Sequence, residues 1–397
     1  ETMEKLNINQ LIRKIGLSFF ALFLTITFAA CSNQNANTNK DNNTQAEEAD
    51  NNKDQKEDSE KTEESTNKDS EDKKNSDKQT SDKTDHKENL DCCGNEKREI
   101  FVTADDVKKV IDGKEELDNY IIAEVTWGES DASQDYLKNH IPGAIHINTD
   151  SIEEGPVWNF KSDDDIVKSM LDNGIDKDTT VFLYGPDSGA PRVALAYLIE
   201  GADNVKLIDG GIKAWMDKGY ETEKEENKAE AKDDFKAEYP AHPEMIVSLD
   251  EAKKDIEDEN SDVQYISTRA YEEYIGETSG YTYIPKAGEL PGAIYGHDEA
   301  DYKNENGTYI SYTDMLDMLK KEGVDPSKEM VFYCGTGWRA ALPVLKFYEK
   351  GIDAKLFDGG WNEWQMHDEL PVQVGDPKDN AEMTTVGNLS NDKASKE

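Results

Sequence analysis

Three short blocks of this chain occur twice, in the same order and at a nearly constant offset. The first copy reads HIPGAIHI (His140 to Ile147), TTVFLYG (Thr179 to Gly185) and VKLIDGGIKAW (Val205 to Trp215). The second reads ELPGAIYG (Glu289 to Gly296), EMVFYCG (Glu329 to Gly335) and AKLFDGGWNEW (Ala354 to Trp364). Gly143 and Gly292 are 149 positions apart, as are Asp209 and Asp358, whereas Val181 and Val331 are 150 apart. The first copy therefore carries one extra residue in the loop between the last two blocks. A conserved order at one offset means two homologous folding units. Each unit alternates short β-branched or aromatic runs with helical stretches. Strands are expected at Tyr120 to Val125, Val181 to Tyr184 and Val205 to Ile208, then at Gln264 to Ser267, Val331 to Cys334 and Ala354 to Phe357. The segment from Tyr312 to Lys321 has Met315, Leu316, Met318 and Leu319 at helical spacing. Such alternation predicts an α/β fold: two tandem domains, each a parallel sheet with helices on both faces. Ligands of such sheets bind beyond the C-terminal strand ends.

One strand end carries chemistry. Cys334-Gly335-Thr336-Gly337-Trp338-Arg339 follows the apolar run Met330 to Tyr333 and precedes a predicted helix, Ala340 to Lys350. A Gly-rich turn that opens a helix aims backbone N–H groups at one point, and the helix N-terminus adds partial positive charge. Arg339 adds a full charge, so thiolate is favoured over thiol at Cys334. The first copy has Tyr184 at this position, followed by a longer loop with Asp187. A tyrosine cannot supply a thiolate, so the first copy is expected to be catalytically silent and either to wall the pocket over Cys334 or simply to pack against it.

The CGTGWR loop, the strand before it, the DGGWNEW segment after it, the LPGA block and ISTRAYEEYIG (Ile266 to Gly276) together resemble the tandem-domain rhodanese family of sulfurtransferases. The resemblance covers about residues 98 to 372. It implies a silent domain at 98–222 and a catalytic one at 243–372. It also implies sulfur transfer through a persulfide on Cys334, by covalent catalysis. In that reading the N–H groups of Gly335, Thr336, Gly337, Trp338 and Arg339 stabilise the persulfide. Arg339 holds the anionic donor, Thr336 hydrogen-bonds the sulfur or the leaving group, and Trp338 walls the pocket or packs on the first domain. Arg269 reaches the donor or else pairs with Glu272 or Glu273; Ser267 stands where the family has Asp. His140 reads as structural, the two Asp-Gly-Gly segments as turns, and Trp361 and Trp364 as interface packing near the site. No cofactor and no metal are called for. The extra charge of Arg339 favours thiosulfate over mercaptopyruvate as donor, with cyanide, a thiol or a protein as acceptor. Two rival classes are a rhodanese-like phosphatase or arsenate reductase, which needs a loop one residue longer, and a non-catalytic surface binding module.

A net charge of −41 over 397 residues needs a local cause. Residues 32–97 are nearly all Asn, Asp, Glu, Lys, Ser, Thr and Gln. They cannot bury enough surface to offset their ordering entropy and read as a disordered acidic tether, and 373–397 reads as a polar tail. An acidic surface argues against nucleic acid as a partner. Residues 1–31 combine Lys5, Arg13 and Lys14 with an apolar run from Ile15 to Ala30, a secretory signal by composition. Ala29-Ala30-Cys31 at its end resembles a bacterial lipobox, which implies lipidation at Cys31 and a protein held on the outer face of the cell membrane. The tether would then span on the order of 45 Å or more. Cys92 and Cys93, adjacent at the end of the tether, read as a pair that oxidises or as a sulfur acceptor for Cys334.

Overall fold

This computed structural model describes residues 98–396 apart from position 134. The signal segment, the tether, Cys31, Cys92 and Cys93 lie outside the described residues. The first domain contains, in chain order, β1 (Phe101–Val102), α1 (Ala104–Ile111), β2 (Tyr120–Thr126), β3 (Ile145–Asn148), β4 (Glu153–Glu154), β5 (Asn159–Phe160), α2 (Asp163–Asp172), β6 (Thr180–Tyr184), α3 (Gly189–Glu200), β7 (Val205–Ile208) and α4 (Gly211–Asp217). Its main sheet has the order β1-β7-β6-β2-β3, and every pair is parallel. The second contains β8 (Ile246–Val247), α5 (Leu249–Glu257), β9 (Gln264–Ser267), α6 (Tyr271–Tyr274), β10 (Ile294–Tyr295), α7 (Tyr312–Glu322), β11 (Met330–Tyr333), α8 (Trp338–Glu349), β12 (Lys355–Phe357) and α9 (Gly360–Trp364). Its sheet, β10-β9-β11-β12-β8, is again parallel throughout. The central strands β6 and β11 are buried at every position, as fits sheets covered on both faces.

What joins the domains is a pair of equivalent helices. All twelve residues of α3 are buried, including Arg192 and Glu200. A helix apolar on all sides must be enclosed, and α3 lies between its own sheet and α8. The largest hydrophobic cluster accordingly runs from Val193 and Leu198 of α3 to Val344 and Phe347 of α8. The interface repeats itself: Asp209 accepts the backbone N–H of Tyr309 at 2.7 Å, and Asp358 accepts that of Phe160 at 2.7 Å. Both partners are related by the repeat offset of 149, so the Asp-Gly-Gly segments are more than turns: each reaches into the other domain.

Two sequence expectations change here. Trp361 and Trp364 pack inside the second domain, among Val247, Phe357 and Val372, with indole N–H groups on Lys286 O and Pro371 O. Asn362, between them, is the residue that crosses to the first domain, donating to the Pro156 and Val157 carbonyls. The polar tail is also folded. β13 (Pro371–Val374) and β14 (Glu382–Thr385) form an antiparallel hairpin. Beyond it Lys393 and Ser395 donate to the carbonyls of Pro285 and Tyr281. Backbone hydrogen bonds to a preformed loop supply the order that its composition did not announce.

Candidate active site

Strand β11 ends at Tyr333, one residue before the cysteine, and Cys334 is fully buried at the C-terminal edge of the sheet. The loop that follows is held by its carbonyls. Cys334 O accepts the N–H of Trp361 at 2.8 Å, and Gly335 O accepts that of Asn362 at 2.9 Å. The N–H groups of Gly335, Thr336, Gly337 and Trp338 have no acceptor among the described residues. Donors left unspent around a buried sulfur suit an anionic sulfur species. Both loop glycines are required by close approach. A Cβ at Gly335 would fall 2.2 Å from the Tyr281 ring. Gly337, at φ +82°, would place one 2.3 Å from Arg192.

Arg339 lines the site, but its charge is spent. The guanidinium takes Glu273 in bidentate fashion at 2.7 and 2.9 Å, Asp298 at 2.8 Å and the Tyr281 hydroxyl at 3.0 Å. Burial alone would push the Glu273 carboxyl up; the bonds and charge of Arg339 outweigh it, and the group lies below the usual carboxylate range. Arg269, expected to reach the donor, is buried elsewhere. It donates to Gly288 O at 3.0 Å, pairs with Glu289 at 3.3 Å and lies 5.3 Å from the Trp361 ring. Its acids are Glu289, which also accepts the Ser267 hydroxyl, and Glu273 at 3.6 Å, one of the two pairings expected, though buried rather than at the surface. His140 is structural, buried between Tyr136 O and Glu223.

Above the loop opens a cavity of about 640 Å³. The second domain lines it with Tyr281, Tyr283, Thr336, Trp338 and Arg339, and the first with Trp127, Glu153, Trp158, Asp187 and Ser188. Trp338 does both things expected of it: it walls the cavity and donates its indole N–H to Glu153 of the first domain at 2.8 Å. Tyr184, in the place of the cysteine, is buried, and its hydroxyl accepts the Ile141 N–H. Burial pushes the Glu153 carboxyl up to about 7 and raises that of Asp187. Burial likewise raises the Tyr283 hydroxyl, to about 12, while a hydrogen bond from Thr336 opposes the rise. The walls are thus aromatic and acidic.

Sequence reasoning missed Glu153, Arg192 and the tyrosine pair. Arg192, fully buried, bridges the domains: Nε meets Glu153 at 3.2 Å, a second nitrogen lies 2.5 Å from Asp358, and the third bonds Trp158 O at 3.0 Å. The repeat places Ala341 opposite it, so no motif announced it. The run Gly280-Tyr281-Thr282-Tyr283, aromatic yet in no strand pattern, was the one available signal.

Two tandem parallel α/β domains, one with a cysteine in a strand-end anion loop and one without, define the class. The family described as Rhodanese-like domain matches residues 103–218 and 248–367, and the chain belongs to it. Among curated proteins it is similar to the thiosulfate sulfurtransferase YnjE of Escherichia coli, 37% identical over 264 residues. That match covers 64% of this chain and 60% of YnjE, so the chain spans less than two thirds of that relative's length. Among solved structures it is similar to the anaerobic ergothioneine biosynthesis enzyme of Chlorobium limicola in complex with its natural substrate trimethyl histidine, at 34% identity and a TM-score of 0.66, over 70% of each chain. It is also similar to EanB with a cysteine persulfide in a tetrahedral intermediate state with ergothioneine, at 32% identity and a TM-score of 0.66, over 70% of this chain and 71% of that one.

Proposed function

We propose that this protein is a sulfurtransferase that carries a sulfane sulfur on Cys334 and delivers it to a small cationic acceptor in the aromatic cavity. The observation that carries the reading is the buried Cys334 at the start of a loop whose next four N–H groups have no acceptor among the described residues. The Cys334 thiolate attacks the outer sulfur of a donor such as thiosulfate. The donor's S–S bond breaks, its electron pair leaves with sulfite, and a persulfide remains. The acceptor then attacks the outer sulfur, and the pair of the broken S–S bond returns to Cys334 as thiolate; an acceptor that reacts at a ring C–H also gives up that hydrogen as a proton. Such two-step transfer gives ping-pong kinetics.

The donor is thiosulfate by likeness to YnjE; mercaptopyruvate is the alternative. The acceptor is argued from the walls. Trp127, Trp158, Tyr281, Tyr283 and Trp338 offer ring faces, and Asp187 offers a carboxylate with no cation on it among the described residues, whereas Glu153 is held by Arg192 and Glu299 by Lys303. Rings and a carboxylate together suit an organic cation, above all a quaternary ammonium. The structures similar to this chain include one with trimethyl histidine, which fits that description. With Arg339 committed to Glu273 and Asp298, it no longer argues for a dianion in the cavity itself. Attachment to the outer face of the membrane through a lipid on Cys31 is part of the same proposal; fatty-acid labelling that persists in Cys31→Ala would remove it.

The test uses the purified protein with thiosulfate as donor, and cyanide or trimethyl histidine as acceptor, beside Cys334→Ser. Sulfur found in both acceptors with the wild type and in neither with the variant supports the proposal. Transfer to cyanide alone would retain the sulfurtransferase and remove the cationic acceptor. No transfer to either, with mercaptopyruvate also tried, would refute both.

A further inference from the structure

A second cavity, of about 380 Å³, opens between the domains and shares no lining residue with the one lined by Thr336, Trp338 and Arg339. Ile166, Ile199, Pro240, Pro243 and Leu249 give it apolar walls, and Glu200 and Glu363 line it as well. Glu200 is 1% exposed, and one of its carboxylate oxygens has no hydrogen-bond partner. The internal repeat supplies a control for what such a position requires. The counterpart of Glu200, at the offset of 149, is Glu349.

Glu349 is well served, and its cation is Lys350, 3.4 Å away. It accepts the N–H groups of Ile100 and Phe101, both at 3.1 Å. The buried Lys346, in the field of Asp209 and Glu349, lies 4.3 Å from the Phe101 ring and 5.7 Å from that of Tyr309. In the Glu200 half each of these supports is missing. Strand register equates Phe101 with Ile246, but the N–H groups of Met245 and Ile246 go to His242 O and Pro243 O within the turn Pro243–Met245. Tyr197 stands where Lys346 stands. Arg192 covers Phe160, the counterpart of Tyr309, at 3.6 Å, and its charge goes to Asp358 and Glu153. Lys161 lines the cavity with its ammonium on Asp150 O. The charged neighbours that act on Glu200 are the acids Asp163 and Asp164.

We infer that this interdomain cavity binds a primary aliphatic amine, whose ammonium sits at the unpartnered Glu200 carboxylate. The apolar walls take the alkyl chain. Glu363 and Asp163 provide for a second ammonium, so a diamine binds more tightly than a monoamine. A metal ion is not the occupant indicated: no group of described acids, His or Cys is arranged to hold one. Burial, with Asp163 adding to it, pushes the Glu200 carboxyl up to about 8. Ammonium binding therefore releases a proton near neutrality, and affinity rises with pH between ~6 and ~8, while the amine itself stays charged.

The experiment is isothermal titration of the full chain with 1,4-diaminobutane, n-butylamine and n-butanol. The expected result is binding of both amines, the diamine more tightly, strengthening from pH ~6 to ~8, and none of the alcohol. Loss of one charge-assisted hydrogen bond in Glu200→Gln weakens binding about tenfold or more. No amine binding at pH ~8, or equal affinity in wild type and Glu200→Gln, would overturn the inference. The fold of Glu200→Gln is checked by its melting curve.

Discussion

Replacing Arg192 with Met tests how the two domains are held. The guanidinium has Glu153 at 3.2 Å and Asp358 at 2.5 Å, bonds Trp158 O at 3.0 Å and lies 3.6 Å from the Phe160 ring. Arg192 is fully buried, and Glu153 and Asp358 are at most 9% exposed. Met fills much of the volume but leaves two buried carboxylates without their cation. Breaking a buried pair in this way costs about 3–5 kcal/mol. Asp358 keeps the Phe160 N–H and Glu153 keeps the Trp338 indole, which places the expectation at the lower end of that range. The assay is urea unfolding at pH ~8, where Glu153 is ionised in the native protein. At pH ~5 the Glu153 carboxyl, already raised to about 7, is protonated, and the penalty shrinks. The double variant Arg192→Met, Glu153→Gln recovers part of the loss, because a neutral amide replaces an unpaired charge. A loss under ~1 kcal/mol at pH ~8, or no recovery in the double variant, would refute the clamp.

Gly337→Ala places a Cβ 2.3 Å from Arg192 at a φ of +82°, so sulfur transfer falls steeply and the melting temperature drops; wild-type activity would contradict the packing. Glu124 and Glu153 are both raised to about 7 by burial. The native state therefore holds protons that the unfolded chain has released above its ordinary carboxyl pKa. Stability falls as pH rises from ~4.5 to ~7, by about 3 kcal/mol per group, and Glu153→Gln flattens the profile by one such step. Removing residues 390–397 takes away the backbone bonds from Ser395 to Tyr281 O and between Lys393 and the loop at Ser279 and Pro285. The expected outcome is a raised KM for the cavity-bound acceptor with little change in melting temperature.

The fold was legible because its signals are periodic and doubled. Val181–Tyr184, Gln264–Ser267 and the helix at Tyr312 are local patterns, and the repeat aligned them across two domains. Cys334 was legible because a strand, two glycines and a helix start lie within one short segment. The rest depends on distance in sequence. Arg269 reads alike whether it faces a ligand or the core; its direction is set by Glu289, twenty residues away. Arg339 looked like a free cation because Glu273 and Asp298 are 66 and 41 positions from it. Glu153 joins the site only through the packing of one domain on the other. The tail was misread because its order comes from a hairpin, from backbone bonds to the Tyr281 loop and from burial of just Val386 and, in part, Leu389, too few apolar residues to stand out in its composition.

The central claim is that Cys334 carries the sulfur. The most direct measurement is the intact mass of the protein after incubation with thiosulfate, in wild type and in Cys334→Ser, before and after cyanide. The wild type should gain one sulfur atom, at Cys334 by peptide mapping, and lose it to cyanide as thiocyanate; the variant should gain none. An unchanged wild-type mass with every donor tried, or the same gain in Cys334→Ser through Cys92 or Cys93, would contradict it.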